Sequence, residues 1–179
     1  MTANSPDTEK CGKRLSLRAL EPEDADFMYL AENEYTAVHN SDNAAPYSRT
    51  MLREYALTYD ADPLRSGQLR LIAVNSDSEP VGMVDFYDIA PRDRHASIAI
   101  LILPRYRNAG LATEMIGLAT EYARKTVGLV SLAAFIHTDN TASYKAFRHN
   151  GYNEAGRLDR WHFSEGRLKD VFLMQYITT

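Results

Sequence analysis

Cysteine is nearly absent: Cys11 is the one thiol in 179 residues. It cannot close an internal disulfide or complete a zinc site with a second thiol. No apolar run approaches the ~20 residues that cross a bilayer. The first dozen residues also lack the apolar stretch of a secretion signal, so a cytoplasmic chain without a membrane partner is expected. An excess of basic residues is missing too. With 20 Lys and Arg against 24 Asp and Glu the net charge is −4, which argues against a nucleic-acid partner. Neither G-x-x-x-x-G-K-[ST] nor a G-x-G-x-x-G after the first strand occurs, so a P-loop and a dinucleotide fold have no support. Histidines and carboxylates are not spaced as metal ligands, and no metal is expected. Repeats, linkers and low-complexity runs are lacking. Residues 1–12 (MTANSPDTEKCG) are expected to form a flexible tail before a single domain over 13–179.

What is present is a clear change of hydrophobic period. Leu15, Leu17 and Ala19 alternate with polar residues as a half-buried strand does. Pro22 suits the first turn of a helix, with acids at its positive end, and Phe27, Leu30 and Ala31 give that helix an apolar face. Leu52, Tyr55, Ala56 and Tyr59 recur at helical spacing from about Arg49. From Gln68 the period becomes two: QLRLIAVN, VGMVDFYDIA and HASIAILIL are three strands joined by short turns, an antiparallel meander. A helix opens at Gly110 and stops at Gly128, and LVSLAAFIH follows as a strand. A strand, helix and strand in that order make a right-handed parallel crossover. The last helix is TASYKAFRHN, capped by Asp139 or Asn140, and strands at about 152–163 and 167–177 flank the turn Ser164-Glu165-Gly166. The expected fold class is α+β: a mixed, mostly antiparallel sheet with one βαβ crossover and helices on both faces.

The crossover loop LPRYRNAGLATEMI carries the strongest chemical signal. If Arg107, Asn108, Ala109, Gly110, Leu111, Ala112 and Thr113 wrap a helix N-terminus, several backbone N–H groups and the helix dipole converge on one point. That is an anion site, suited to a phosphate or pyrophosphate, and Arg105 and Arg107 add positive charge nearby. The plain alternative is a helix following a strand, with solvent on its amides.

Arg107-Asn108-Ala109-Gly110-Leu111-Ala112 resembles the [QR]-x-x-G-x-[GA] signature of the GNAT superfamily of acyl-CoA-dependent N-acetyltransferases. Asn140-Thr-Ala-Ser143, Phe147 and Gly151-Tyr152 resemble the N-x-x-[AS]…G-[FY] block of the same superfamily, and the order of elements agrees from Leu15 to Ile177. The stretch from VGMVDFYDIA through RNAGLA, with the closing hairpin and its glycine turn, looks most like the branch holding spermidine (polyamine) and ribosomal-protein N-terminal acetyltransferases. The resemblance implies acetyl-CoA as cosubstrate, its pyrophosphate on the amides from Arg107 through Thr113. It places the pantetheine arm along Leu101, Ile102 and Leu103, pairing as an added strand would on a bulged, splayed strand. Asn140 and Ser143 would reach the arm, and the helix around Phe147 would flank the thioester; for Asn140 a plain N-cap role is equally compatible.

Many superfamily members use a glutamate on the central strand and a tyrosine on the last helix; Ser97 and Phe147 stand at those places here. An alkyl amine is protonated near neutral pH and must lose a proton before attack. Asp85, in an otherwise apolar strand, is a candidate base or amine anchor, or else an exposed acid. Tyr144, one turn before Phe147, is a candidate acid, or else an amphipathic core tyrosine. Glu21 to Glu34 holds six carboxylates and no basic residue, which reads as a solvated helix or, at Glu32 and Glu34, as a mouth for a cationic amine. Tyr35 and Tyr87 could add cation–π surface, or serve as rim aromatics. The expectation is an N-acetyltransferase acting by direct attack in a ternary complex on a primary amine. A polyamine or other small amine is the first substrate, a protein N-terminus or aminoglycoside-like amine the next, and a homodimer is one assembly open to the chain. The rival is a non-catalytic acyl-CoA-binding sensor.

Overall fold

The computed structural model describes residues 14–34 and 45–178. Tyr35, named above as a substrate contact, and Cys11 lie outside them. Among the described residues, seven strands form one sheet in the order β1-β2-β3-β4-β5-β7-β6. They are β1 Ser16–Ala19, β2 Leu69–Val74, β3 Pro80–Ala90, β4 His95–Ile102, β5 Ser131–His137, β6 Asn153–Ser164 and β7 Arg167–Ile177. The helices are α1 Ala25–Glu32, α2 Arg49–Thr58, the single turn α3 Pro63–Ser66, α4 Leu111–Tyr122 and α5 Thr141–His149. The meander β2-β3-β4 is antiparallel, β4 to β5 is parallel, and β5-β7-β6 is antiparallel again. This is the mixed α+β sheet with one crossover that the sequence pattern implies.

Alternation along the strands sorts the helices. Leu71 and Ala73 of β2 join Val84 and Phe86 of β3 in a core with Met115, Ile116 and Ala119 of α4 and Phe147 of α5. Ile72, Val74 and Met83 point the other way and pack with Ala31 of α1. Asp24, ahead of α1, is buried yet satisfied: both its oxygens accept from Arg18 at 2.7 Å, and it also takes the Glu21 N–H at 2.9 Å. That clamp fixes where α1 starts and hence where its last residue, Glu32, arrives. Gly82 is required where β3 meets the end of β4: a Cβ there would stand 2.3 Å from the Leu101 carbonyl oxygen.

Two local features were not legible beforehand. A 3-10 turn, Pro104–Tyr106, separates β4 from the crossover loop, and α4 ends in a wider π turn, Ala123–Val127, before Gly128 adopts the left-handed conformation. The bulge expected on β4 is absent: pairing with β3 is regular from Ser97 to Ile102, and the irregularity falls between Tyr87 and Ala90 on β3, where Asp88 has φ 51°.

Candidate active site

The sheet opens in its middle. β4 and β5 pair only at His95–Ser131, Ala96–Leu132 and Ser97–Ala133, then diverge. Beyond that point each strand keeps its antiparallel neighbour, β4 with β3 and β5 with β7, so the gap is held from both sides. The backbone groups of β4 that face the gap are a free strand edge, able to pair with an extended ligand.

A cavity of about 1360 Å³ passes through this opening. A pocket for one drug-sized molecule occupies roughly 300–1,000 Å³, so this one has room for two ligands end to end. One end is the crossover loop. Gly110 is the N-cap of α4 with φ 75°, and Asn108 is also left-handed at 62°. The first helical bond runs from the Glu114 N–H to the Gly110 carbonyl at 3.4 Å, so the N–H groups of Leu111, Ala112 and Thr113 have no acceptor within the helix. Asn108, Gly110, Leu111, Ala112 and Thr113 all line the cavity, as do Leu101, Ile102, Asn140 and Ser143. Glu114 does not cancel the helix dipole toward the cavity. Its Oε1 accepts the N–H groups of Arg14 and Leu15 at 2.6 and 3.0 Å, which ties it to the approach to β1.

The other end is a charged cluster beneath α1 and α2. Arg70, Asp85 and Ala99 lie in one cross-strand row, by the pairings Arg70–Asp85 and Asp85–Ala99. Arg70 donates from Nε and Nη2 to the two oxygens of Asp85 at 2.6 and 2.9 Å, and its Nη1 lies 2.7 Å from Glu32 Oε1. Arg70 and Glu32 are almost closed to solvent, at 14% and 12% side-chain exposure. Burial opposes the Arg70 charge, but Asp85 and Glu32 outweigh it and hold the guanidinium above its ordinary value. Burial pushes the Glu32 carboxyl up; Arg70 pulls it back and the neighbouring Asp85 charge adds to the rise. Tyr55 is driven to about 12, mainly by burial, and Tyr59, also raised, accepts the Arg70 backbone N–H. Tyr47 and Tyr87 complete this aromatic wall.

Several residues singled out above sit elsewhere. Arg107 lines the cavity, but its guanidinium is held by the Ile102 carbonyl and Glu34, each at 3.0 Å, which draws its charge away from the amides. Glu34 therefore serves that pair and does not line the cavity. Leu103 is buried and outside the cavity lining, its N–H bonded to the Val81 carbonyl at 3.0 Å and its carbonyl to the Tyr106 N–H at 2.9 Å. Ala109 turns its carbonyl to Arg14 at 2.8 Å. Asn140 caps α5, its side chain accepting the Ser143 N–H at 3.1 Å. Phe147 is core, edge-on to Tyr152 at 4.9 Å, and does not line the cavity. Ser97 is buried at the last β4–β5 pair. Tyr144 packs on Phe172 and donates to Glu154 at 3.2 Å, away from the cavity. Arg70 went unremarked because an arginine in QLRLIAVN reads as an outward polar residue. Counting outward from the turn at 75–79 sets it opposite Val84; the register shift between Ala73 and Val74 moves it by one residue onto Asp85. Among the described residues, no three His, Cys, Asp or Glu side chains converge on a metal position, and no helix is long and apolar enough to cross a membrane.

Comparison with known proteins agrees with this geometry. The family model described as "Acetyltransferase (GNAT) domain" matches residues 14–153. Spermidine N(1)-acetyltransferase of Escherichia coli (strain K12) is 27% identical over 160 residues, covering 89% of this chain and 84% of that protein. The uncharacterized N-acetyltransferase YoaA of Bacillus subtilis (strain 168) is 27% identical over 163 residues, covering 88% and 90%. The fold superposes on the crystal structure of spermidine N-acetyltransferase from Vibrio cholerae in complex with CoA and spermine with a TM-score of 0.84, at 24% identity and 92% and 96% coverage.

Proposed function

We propose that this chain, which belongs to the GNAT acetyltransferase family, acetylates a primary amine on a small molecule, with polyamines as the first substrate class. As a GNAT acetyltransferase it is an enzyme that draws its acetyl group from acetyl-CoA. The observation that carries the proposal is the single cavity joining the α4 amides to the Glu32–Arg70–Asp85 cluster through the opened sheet. The chain's own groups fit the cosubstrate. The amides from Asn108 to Thr113 suit the pyrophosphate, and the free edge of β4 at Ile100, between the β3-bonded Ala99 and Leu101, suits an extended arm whose reacting end meets the charged cluster.

At the amine end, two carboxylates and one guanidinium sum to a single negative charge. That matches the one ammonium to be acetylated, and tyrosine faces give cation–π surface around it. The curated relatives named as spermidine acetyltransferases support a polyamine; its further ammonium groups would extend toward solvent. The mechanism in this reading is direct attack in a ternary complex, where positioning supplies much of the rate.

Purified protein, acetyl-CoA and a panel of polyamines, monoamines, peptide N-termini and aminoglycosides, followed by free-thiol release, tests this reading. Turnover is expected with spermidine or spermine above the rate without amine. Tight CoA binding with no thiol release across the panel would instead establish the acyl-CoA sensor.

A further inference from the structure

We propose that the Glu32 carboxylate takes the proton from the substrate ammonium, and that Asp85 is a positioning residue acting through Arg70. This assignment rests on the amine-acetylation reading above. The two acids stand differently toward the same guanidinium. Asp85 faces it as a closed fork, both oxygens engaged at 2.6 and 2.9 Å. Glu32 meets it with Oε1 alone, at 2.7 Å, and among the described residues Oε2 has no partner. Glu32 ends α1 with its side chain nearly buried, and it lines the cavity beside the row of Asp85 and Ala99, where β4 has just parted from β5. The groups facing it are Arg70 on β2, Asp85 on β3 and Tyr55 on α2. Burial raises its affinity for a proton above that of an ordinary glutamate, which suits a base that must accept one near neutral pH.

The step balances. The ammonium R–NH3+ gives one proton to Glu32 Oε2, leaving a neutral amine whose lone pair forms the new C–N bond as the C–S bond breaks and its electron pair leaves on sulfur. The second nitrogen proton passes to that sulfur, giving CoA thiol and the amide. Glu32 then loses its proton to solvent.

The test is Glu32→Gln, which keeps an oxygen acceptor for Arg70. It is assayed with the best alkylamine substrate and with 2,2,2-trifluoroethylamine, which is largely unprotonated at neutral pH and needs no base. The expected result is a loss of about a hundredfold in kcat/KM for the alkylamine, less than threefold for the fluorinated amine, and a shift of the alkylamine's acidic limb upward, to follow the amine's own deprotonation. Equal losses on both amines, or an unchanged acidic limb, would overturn the assignment, as would a larger alkylamine-selective loss in Asp85→Asn. Should the fluorinated amine not be turned over, the acidic limb alone decides. Wild-type protein inactive toward every amine overturns the underlying function, and is recognised by that.

Discussion

Gly110→Ala isolates the backbone contribution to cofactor binding. A Cβ at this position meets nothing closer than the Arg14 guanidinium at 3.5 Å, an ordinary contact, so packing contributes little. The cost comes from φ, which is +75° and disfavoured for an alanine by about 1–2 kcal/mol. The protein can meet that cost in two ways. If the turn keeps its left-handed shape, the folded state is destabilised and Tm falls by about 2–8 °C for a chain of this size. If the free protein relaxes the turn, Tm is spared, but CoA must restore the turn on binding, and Kd rises by about 5- to 30-fold. The two losses, expressed as free energies, should therefore sum to about 1–2 kcal/mol. Calorimetric titration with CoA and a thermal melt measure both. A melt and a Kd that both match wild type would refute the argument, since the turn would then have no need of its left-handed residue.

Tyr144→Phe should leave kcat within about twofold and the pH profile unchanged in a steady-state thiol-release assay, because its hydroxyl is on Glu154 and off the cavity; a tenfold loss would return it to the chemistry. The raised Glu32 carboxyl predicts a stability signature as well. The folded state holds this proton more tightly than the unfolded chain, so its contribution is complete below the unfolded value of about 4.3 and is lost as pH rises through the folded value. Melting curves across that window should flatten in Glu32→Gln, with a Tm at neutral pH equal to or above wild type; a lower Tm there would show the charged carboxylate to be a net stabiliser.

How much the sequence revealed depended on whether the signal was local. Period-two runs and short turns gave the β2-β3-β4 meander, and the placement of Gly110 at the head of α4 followed from loop chemistry within a few residues. Side-chain destinations are set by neighbours far along the chain and did not follow. Arg107 looked like an anion ligand until Glu34 arrived from the end of α1, and Tyr144 looked like an acid until Glu154 stood opposite it. Asp85 was legible as unusual, an acid in an apolar strand. Its partner was not, because the row with Arg70 exists only once the hairpin register is fixed. The bulge implied by resemblance lay on the neighbouring strand, as the opening of the sheet needs only that β4 and β5 stop pairing after Ser97.

That stopping point explains why charge and cofactor surface meet. β5 is drawn aside by continuous pairing with β7 from Ser131 to His137, while β4 stays on β3 through Ile102. The first cavity-facing residue of β4 beyond the last shared pair is Ala99, and register sets Asp85 and then Arg70 beside it on the same face. α1, clamped at its start by Arg18 and Asp24, brings Glu32 down onto that row. An extended ligand pairing with the free edge of β4 therefore has its reacting end next to the acid cluster because of strand register alone. A one-residue slip between β3 and β4 would turn Asp85 and Ala99 to opposite faces of the sheet and part the two halves of the site.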